Sequence, residues 1–414
     1  MSDRTQPPAL EVDVAVVGGG MVGASLAAAL IGTGVRLLLV EAVPFGAHAQ
    51  PSFDERNTAL GNASRRIFEG LGVWKTIASA AAPIRAIHVS DAGRFGSARL
   101  VAGEQGIDAF GYVVPNRSLG AALWGRLAGA ADLVLRVPGQ VEGVAIEAGG
   151  VRFEVAAAGR REAVTARLVV AADGAHSQIR SAAGIEAAVQ DYEQVAVVAN
   201  VACDTPQDGI AYERFTPAGP LAVLPLADGT LSVIWACRRD EAPRVLALDD
   251  AAWLGELQSR FGWRAGRFVR AGRRASYPLK LTRAASPVAT RTVLIGNAAQ
   301  ALHPVAGQGF NLGLRDAAML AEVIAGSAGG DAGAPALLER FAAWRARDRS
   351  GVTRFTDGLV RLFGDQRFAV PLLRNLGLLL FDVTPPAKRA LARVSLGFGG
   401  PVPRLARGLP VRHG

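Results

Sequence analysis

Val12-Asp13-Val14-Ala15-Val16-Val17-Gly18-Gly19-Gly20-Met21-Val22-Gly23-Ala24-Ser25-Leu26-Ala27-Ala28-Ala29-Leu30-Ile31 reads as an apolar strand, a glycine turn and an Ala/Leu-rich helix spanning Ala24 to Ile31. Arg36 to Val40 follows as a second strand, closed by Glu41 eighteen residues beyond Gly23. That order is what a dinucleotide-binding βαβ unit needs. Gly18 makes the tight turn, Gly20 lets a pyrophosphate approach the backbone, Gly23 packs helix on strand, and Glu41 accepts from ribose hydroxyls.

The same stretch has a competing reading, because Val14 to Val35 carries no charge and approaches the ~20 apolar residues of a membrane span. Six glycines in those 22 positions, flanked by Asp13 and Arg36, suit a turn far better. A secretory signal is not expected either, since Met1 to Asp13 holds three acids and two prolines where a basic segment belongs.

At 414 residues and 50% apolar content, the chain can bury a large core and is expected to form more than one lobe. Cys203 and Cys237 lie in apolar strand-like segments and form no CxxC, which fits reduced core thiols and a cytoplasmic setting. The net charge of +9 comes from arginine, which supplies all but Lys75, Lys280 and Lys388 of the 45 basic residues. Most are scattered among acids without a basic aromatic face, so nucleic acid is not an expected partner. The exception is Val383 to Gly414, with six basic residues and no acid.

Beyond Glu41 the pattern gives helices over Ser64 to Leu71 and Trp74 to Ala80, a strand over Ile84 to Ser90, and a helix from Arg117 to about Leu127. Leu133 to Glu147, Val151 to Ala156 and Ala163 to Ala171 alternate like a meander. Four strand-like runs between Val195 and Cys237 suggest an antiparallel sheet with one wall facing a ligand, and Ala251 to Phe261 a helix. The expected architecture is α/β: a Rossmann-like lobe from 12–80, 100–180 and 285–330, interleaved with an antiparallel-sheet lobe from 81–99 and 190–284. A helical C-terminal region with a basic tail follows over 331–414.

Two further stretches carry chemistry. Ala172-Asp173-Gly174-Ala175-His176-Ser177-Gln178-Ile179-Arg180 follows an apolar strand, and its Asp173 is either a ligand contact or a cap on the helix Ser177 to Ala183. Thr292 to Ile295 reads as a strand ending at Gly296-Asn297-Ala298-Ala299-Gln300-Ala301-Leu302-His303-Pro304-Val305-Ala306-Gly307-Gln308-Gly309-Phe310-Asn311-Leu312-Gly313, with helical periodicity from Asn311 to Ile324. A helix start there aims N–H groups at whatever lies before it.

Together the three motifs resemble the class A FAD-dependent aromatic hydroxylases, of the para-hydroxybenzoate hydroxylase fold, over roughly Val12 to Ala325. Asn297 and Gln300, where most of that class carries Asp and His, are most similar to its ubiquinone-biosynthesis branch. The resemblance implies FAD held by Gly18, Gly20, Gly23, Glu41, Arg56, Arg117, Asp173, Asn297, Gly307, Gly309, Phe310 and Asn311. Asn297 would bond a ribityl hydroxyl, and the backbone at Gly309, Phe310 and Asn311 would face the flavin N1/C2 edge. Pro304 would lie over the oxygen-reactive face, and His303, without a metal-ligand partner, would serve pocket packing more than proton transfer. Arg56 and Arg117 have a plainer alternative as solvated arginines, and no metal is implied.

The implied reaction is hydroxylation of the ring of a polyprenylated methoxyphenol by O₂ through a flavin C4a-hydroperoxide, with NAD(P)H as donor. No second GxGxxG unit is present, so that donor would dock transiently. A greasy substrate directs attention to Phe355 to Val383, rich in Leu, Phe and Val and interrupted by Arg361, Arg367 and Arg374. With the basic tail it suggests a peripheral contact with the inner membrane face or with a ubiquinone-biosynthesis complex, against ordinary packed helices. Alternatives within the resemblance are another aromatic or isoprenoid substrate, or a flavin-binding component without turnover.

Overall fold

The computed structural model describes residues 9–46, 56–302, 307–327, 329–346 and 402–412, with positions 375, 380, 382, 384, 386, 388, 389, 396 and 397. His303, Pro304 and nearly all of Phe355 to Val383 lie outside the described residues.

The Leu10–Val17 strand sits at the centre of the first sheet. Leu37–Val40 pairs parallel to one side of it and Arg160–Ala171 parallel to the other. Leu133–Arg136 and Thr292–Leu294 extend the parallel set outward. The crossover helix Met21–Leu30 is sealed from Gly23 onward, matching its uncharged sequence. It packs with the 18-residue helix Gln308–Ala325 in a core that also takes Leu119, Leu123, Ile67 and Phe68. Small residues set that approach: a Cβ on Gly313 would come within 2.8 Å of Val22 Cγ2 and 3.0 Å of Gly296 Cα.

Gln300–Ala301, Ala275–Ala284, Ala187–Cys203, Leu231–Arg238, Gly219–Pro225, Ile210–Thr216, Ala86–Asp91 and Ser97–Val101 follow one another across the second sheet, with Phe268–Ala271 paired to Ala187–Cys203. It is antiparallel throughout except where Ile210–Thr216 runs parallel to Ala86–Asp91, a departure from the fully antiparallel expectation. Helix Asp250–Phe261 covers its outer face through Trp253, Leu257 and Phe261 against Val197, Val223, Val233 and Trp235. A small third sheet joins Asn57–Gly61, Gly111–Pro115 and Ala82–Ile84.

Three local expectations are corrected. Leu133 to Glu147 is two strands: Leu133–Arg136 joins the parallel sheet and Gln140–Glu147 opens the meander with Gly150–Ala157 and Arg160–Ala171. Pro138 divides them, having no N–H to give a ladder. Ile84 to Ser90 likewise changes sheet at Arg85. Ala82, Ile84 and Ala86 are all buried, so the two-residue period runs through the break and hides it. The helix expected from Asn311 begins at Gln308, because its apolar periodicity starts only after the glycine-bearing first turn.

Candidate functional site

The first strand ends in a turn that excludes side chains. Gly18 holds φ +103, and a Cβ there would lie 2.4 Å from the Ala172 carbonyl oxygen; one on Gly23 would lie 1.9 Å from the Gly18 carbonyl oxygen. Gly20 is the N-cap of Met21–Leu30 and offers no side chain to close the helix start. The Glu41 Oε2 accepts the Gly19 N–H at 2.5 Å, and its Oε1 the Val43 N–H at 2.8 Å. The carboxylate expected at a ribose thus also braces the glycine loop.

Beside this turn, Ser177 rather than Asp173 is the N-cap of the short helix Gln178–Ala182, accepting the Arg180 N–H at 3.0 Å. Asp173 Oδ2 accepts the next available N–H, from Ile179, at 3.3 Å. Its Oδ1 is buried with no partner among the described residues. Burial therefore dominates and raises the Asp173 pKa, against the Ser177 and Ile179 hydrogen bonds.

The third motif closes onto the first two. Gly296, at φ +57, would place a Cβ 3.1 Å from Val22 Cγ2, and its N–H donates to Asp316 Oδ2 at 3.1 Å. Arg180 donates to the Ala298 carbonyl and to the Ala175 carbonyl, each at 2.9 Å, and so ties the Asp173 loop to the Asn297 loop. Asn297 is exposed between buried Gly296 and Ala298, its amide turned outward. Sequence gives Arg180 no role, because only the folded distance between the two loops creates one.

Gly307 caps the long helix at φ +60, a left-handed geometry suited to glycine. The N–H groups of Gln308, Gly309 and Phe310 fall in the first turn, which lacks intrahelical acceptors and carries the positive end of the helix dipole. A Cβ on Gly309 would meet nothing within 4 Å, so open space borders that turn. The Phe310 ring stacks on Phe68 at 6.2 Å, directing the side chain into the core. Asn311 is committed within the fold: Oδ1 accepts from the Gly61 N–H at 2.9 Å and Ser64 Oγ at 2.6 Å, and Nδ2 donates to the Ala59 and Gly307 carbonyls at 2.8 and 2.7 Å. Its side chain orients the helix start, and only its backbone is left for a ligand.

The two expected arginines sit on the side of the second sheet. The Arg56 guanidinium lies 4.3 Å from the centroid of the Tyr277 ring. Arg117 is exposed at the start of helix Asn116–Leu127, and its charge helps lower the pKa of Asp228. Asn57 Nδ2 spans from the small sheet to the large one, donating to Asn200 Oδ1 at 2.9 Å and Ser232 Oγ at 3.0 Å. Nothing in the sequence pattern singled out that polar trio, whose members lie 143 and 175 residues from Asn57.

These features fit FAD. The Gly18/Gly23 turn admits no Cβ, a carboxylate oxygen of Asp173 awaits a donor, an outward amide stands at Asn297, and a helix start opens onto vacant space at Gly309.

The FAD binding domain family matches residues 11–356. The ubiquinone hydroxylase UbiL of Rhodospirillum rubrum is 38% identical over 405 residues, spanning 96% of this chain and 93% of that protein. The 3-demethoxyubiquinol 3-hydroxylase of Escherichia coli is 33% identical over 397 residues, spanning 93% and 98%. Among solved structures, p-nitrophenol 4-monooxygenase PnpA from Pseudomonas putida superposes with a TM-score of 0.77 over 94% of this chain and 99% of that one, at 20% identity, a likeness of fold.

Proposed function

The chain belongs to the FAD binding domain family, and from that premise we propose that it is an FAD-dependent monooxygenase that hydroxylates the aromatic ring of a polyprenylated methoxyphenol intermediate of ubiquinone biosynthesis. The observation that carries this reading is convergence: Gly18 against Ala172, Val22 against Gly296, and Arg180 bonded to both Ala175 and Ala298 gather three distant motifs onto one rim. The named hydroxylase relatives, matched over nearly their whole lengths, support the reaction class and the pathway.

Bound FAD would supply activation of O₂ and oxygen transfer to an electron-rich ring. The chain's part is binding and electrostatics. Gly18, Gly20 and Gly23 give the pyrophosphate a backbone surface, Glu41 and Asp173 accept from hydroxyls, and Asn297 offers a neutral amide to the ribityl chain. The N–H groups of the helix start at Gly307 to Phe310 favour negative charge beside them. Arg56 and Arg117 are assigned here to contacts around the cofactor, and His303 and Pro304 to the pocket over its reactive face. NAD(P)H is the proposed donor.

The test is product analysis on the purified FAD-loaded protein, given NAD(P)H, O₂ and a prenylated methoxyphenol. A ring-hydroxylated product that gains one oxygen atom from ¹⁸O₂ supports the reading. Saturation of a prenyl double bond without O₂ uptake rejects it.

A further inference from the structure

The inner face of the large sheet carries an acid, Glu213, that the site described above does not use. Along Ile210–Thr216, Tyr212 donates its Oη to the Arg264 carbonyl at 3.1 Å and Arg214 its Nε to the Arg260 carbonyl at 2.9 Å, so both point to the outer, helix-covered side. Strand alternation then turns Ala211, Glu213 and Phe215 inward. Glu213 stands in register with Ala222 and with Val89.

Its inward neighbours are apolar. Ile87, Val89, Val198, Ala222, Leu224 and Ile234 are all partly exposed, whereas the outward-facing Val197, Val223, Val233 and Trp235 are sealed. Ala196, Ala211, Phe215 and Ala236 on the same face are sealed, so the partly exposed positions mark the stretch around Glu213 and Ala222 where the face borders a space. Asn57, Asn200 and Ser232 form a polar edge to the same wall, on the side of the small sheet.

Glu213 makes no hydrogen bond or ion pair among the described residues. The next acid along this face, Asp91, is buried and held by Asn375 Nδ2 at 3.0 Å and by Arg94 at 3.5 Å. An ionisable group left unpaired in an apolar wall is costly to bury, and such groups concentrate where a ligand supplies the missing partner. Glu213 is itself partly exposed, and the desolvation it does suffer pushes its carboxyl up to about 7.

Resting on the function proposed above, we propose that Glu213 is the acceptor for the phenolic O–H of the substrate, anchoring its ring against the apolar wall of Ile87, Val89, Ala222 and Ile234. The hydroxyl hydrogen points at a carboxyl oxygen, and the neighbouring aliphatic side chains take the alkylated ring.

The test compares 2-methoxy-6-(3-methylbut-2-enyl)phenol with its O-methyl ether, which has the same body and no O–H. Dissociation constants are read from the flavin absorbance of the FAD-loaded protein for wild type, Glu213→Gln and Glu213→Leu. At a pH well above the raised Glu213 value, where the carboxyl is ionised, wild type should prefer the phenol by about tenfold or more, as expected for a hydrogen bond to an ionised group. That preference should shrink in Glu213→Gln and vanish in Glu213→Leu, with flavin content unchanged. A Glu213→Leu protein that keeps the wild-type ratio, or a wild type that binds both probes alike, overturns the assignment. If wild type still hydroxylates the phenol in that case, the monooxygenase reading stands without Glu213. If it neither binds nor hydroxylates the phenol, both fall.

Discussion

Arg345 Nε donates to Asp316 Oδ1 at 2.6 Å, and neither side chain reaches solvent beyond 2%. The other Asp316 oxygen accepts the Gly296 N–H at 3.1 Å, and Arg345 Nη2 donates to the Leu312 carbonyl at 3.3 Å. The pair therefore links the C-terminal segment, the long helix and the turn that presents Asn297.

Arg345→Met should destabilise the protein by about 3–5 kcal/mol, because it strands the Asp316 charge where water cannot reach it. Pairing it with Asp316→Leu should recover part of that loss, since an apolar pair of similar volume carries no buried charge. Urea unfolding of the two variants measures this. Equal loss in both would show that the ion pair is not what holds the turn.

Two glycines predict opposite outcomes for the same substitution. Gly23→Ala forces a Cβ to 1.9 Å from the Gly18 carbonyl oxygen, which backbone cannot yield, so flavin retention and folding should both fail. Gly309→Ala meets no atom within 4 Å, and alanine favours a helix over glycine by up to about 1 kcal/mol, so the apo-protein should melt no lower than wild type. Its flavin content should nevertheless drop, because the methyl enters the proposed cofactor space. Full flavin retention in Gly309→Ala would remove the ring from that position.

The difference between what was legible and what was hidden follows sequence distance. Gly18 to Gly23 with Glu41 declares itself because strand, turn, helix and acid are contiguous, and the Gly307 turn because glycine is the residue that most readily takes a left-handed geometry. Arg180 gains its role only when Ala175 and Ala298 meet, and the Asn57, Asn200 and Ser232 trio only when two sheets meet. Ser177 and not Asp173 caps Gln178–Ala182, because its hydroxyl sits directly before the helix, a choice that two capping residues four positions apart leave open in the sequence. Glu213 is one polar letter in Ala211-Tyr212-Glu213-Arg214-Phe215, and alternation cannot say which face of a sheet borders a ligand.

Glu41→Gln tests the brace on the glycine loop. The carboxylate accepts two backbone N–H bonds, one on each oxygen, at 2.5 and 2.8 Å, whereas glutamine has a single acceptor oxygen, so it keeps one of them in a neutral form about half as strong and sets an NH2 donor against the other. FAD affinity should fall by roughly tenfold with little change in apo-protein melting, as the loop relaxes and the ribose loses a charged acceptor. Flavin titration against the apo-protein decides it, and unchanged affinity would separate Glu41 from the cofactor.

Asp173→Asn should make the apo-protein more stable and the flavin weaker at the same time. Burial raises the Asp173 pKa, so the folded state binds a proton more readily than the unfolded state. That contribution favours folding at low pH and is lost as pH rises from the ordinary carboxylate value of 3.8 through the raised folded value. Above that raised value the folded chain carries the full cost of the buried charge, and asparagine removes it while still accepting the Ile179 N–H. Melting of the two apo-proteins should therefore differ at pH 7, with the variant higher, and the gap should close as the pH is lowered below the carboxylate range. Flavin affinity should move the other way, because with the amide oxygen held by the Ile179 N–H the place of the unpaired Oδ1 is taken by an NH2, which cannot accept from a cofactor hydroxyl. A variant that gains stability at pH 7 and binds FAD as tightly as wild type would make Asp173 a buried charge without a cofactor role.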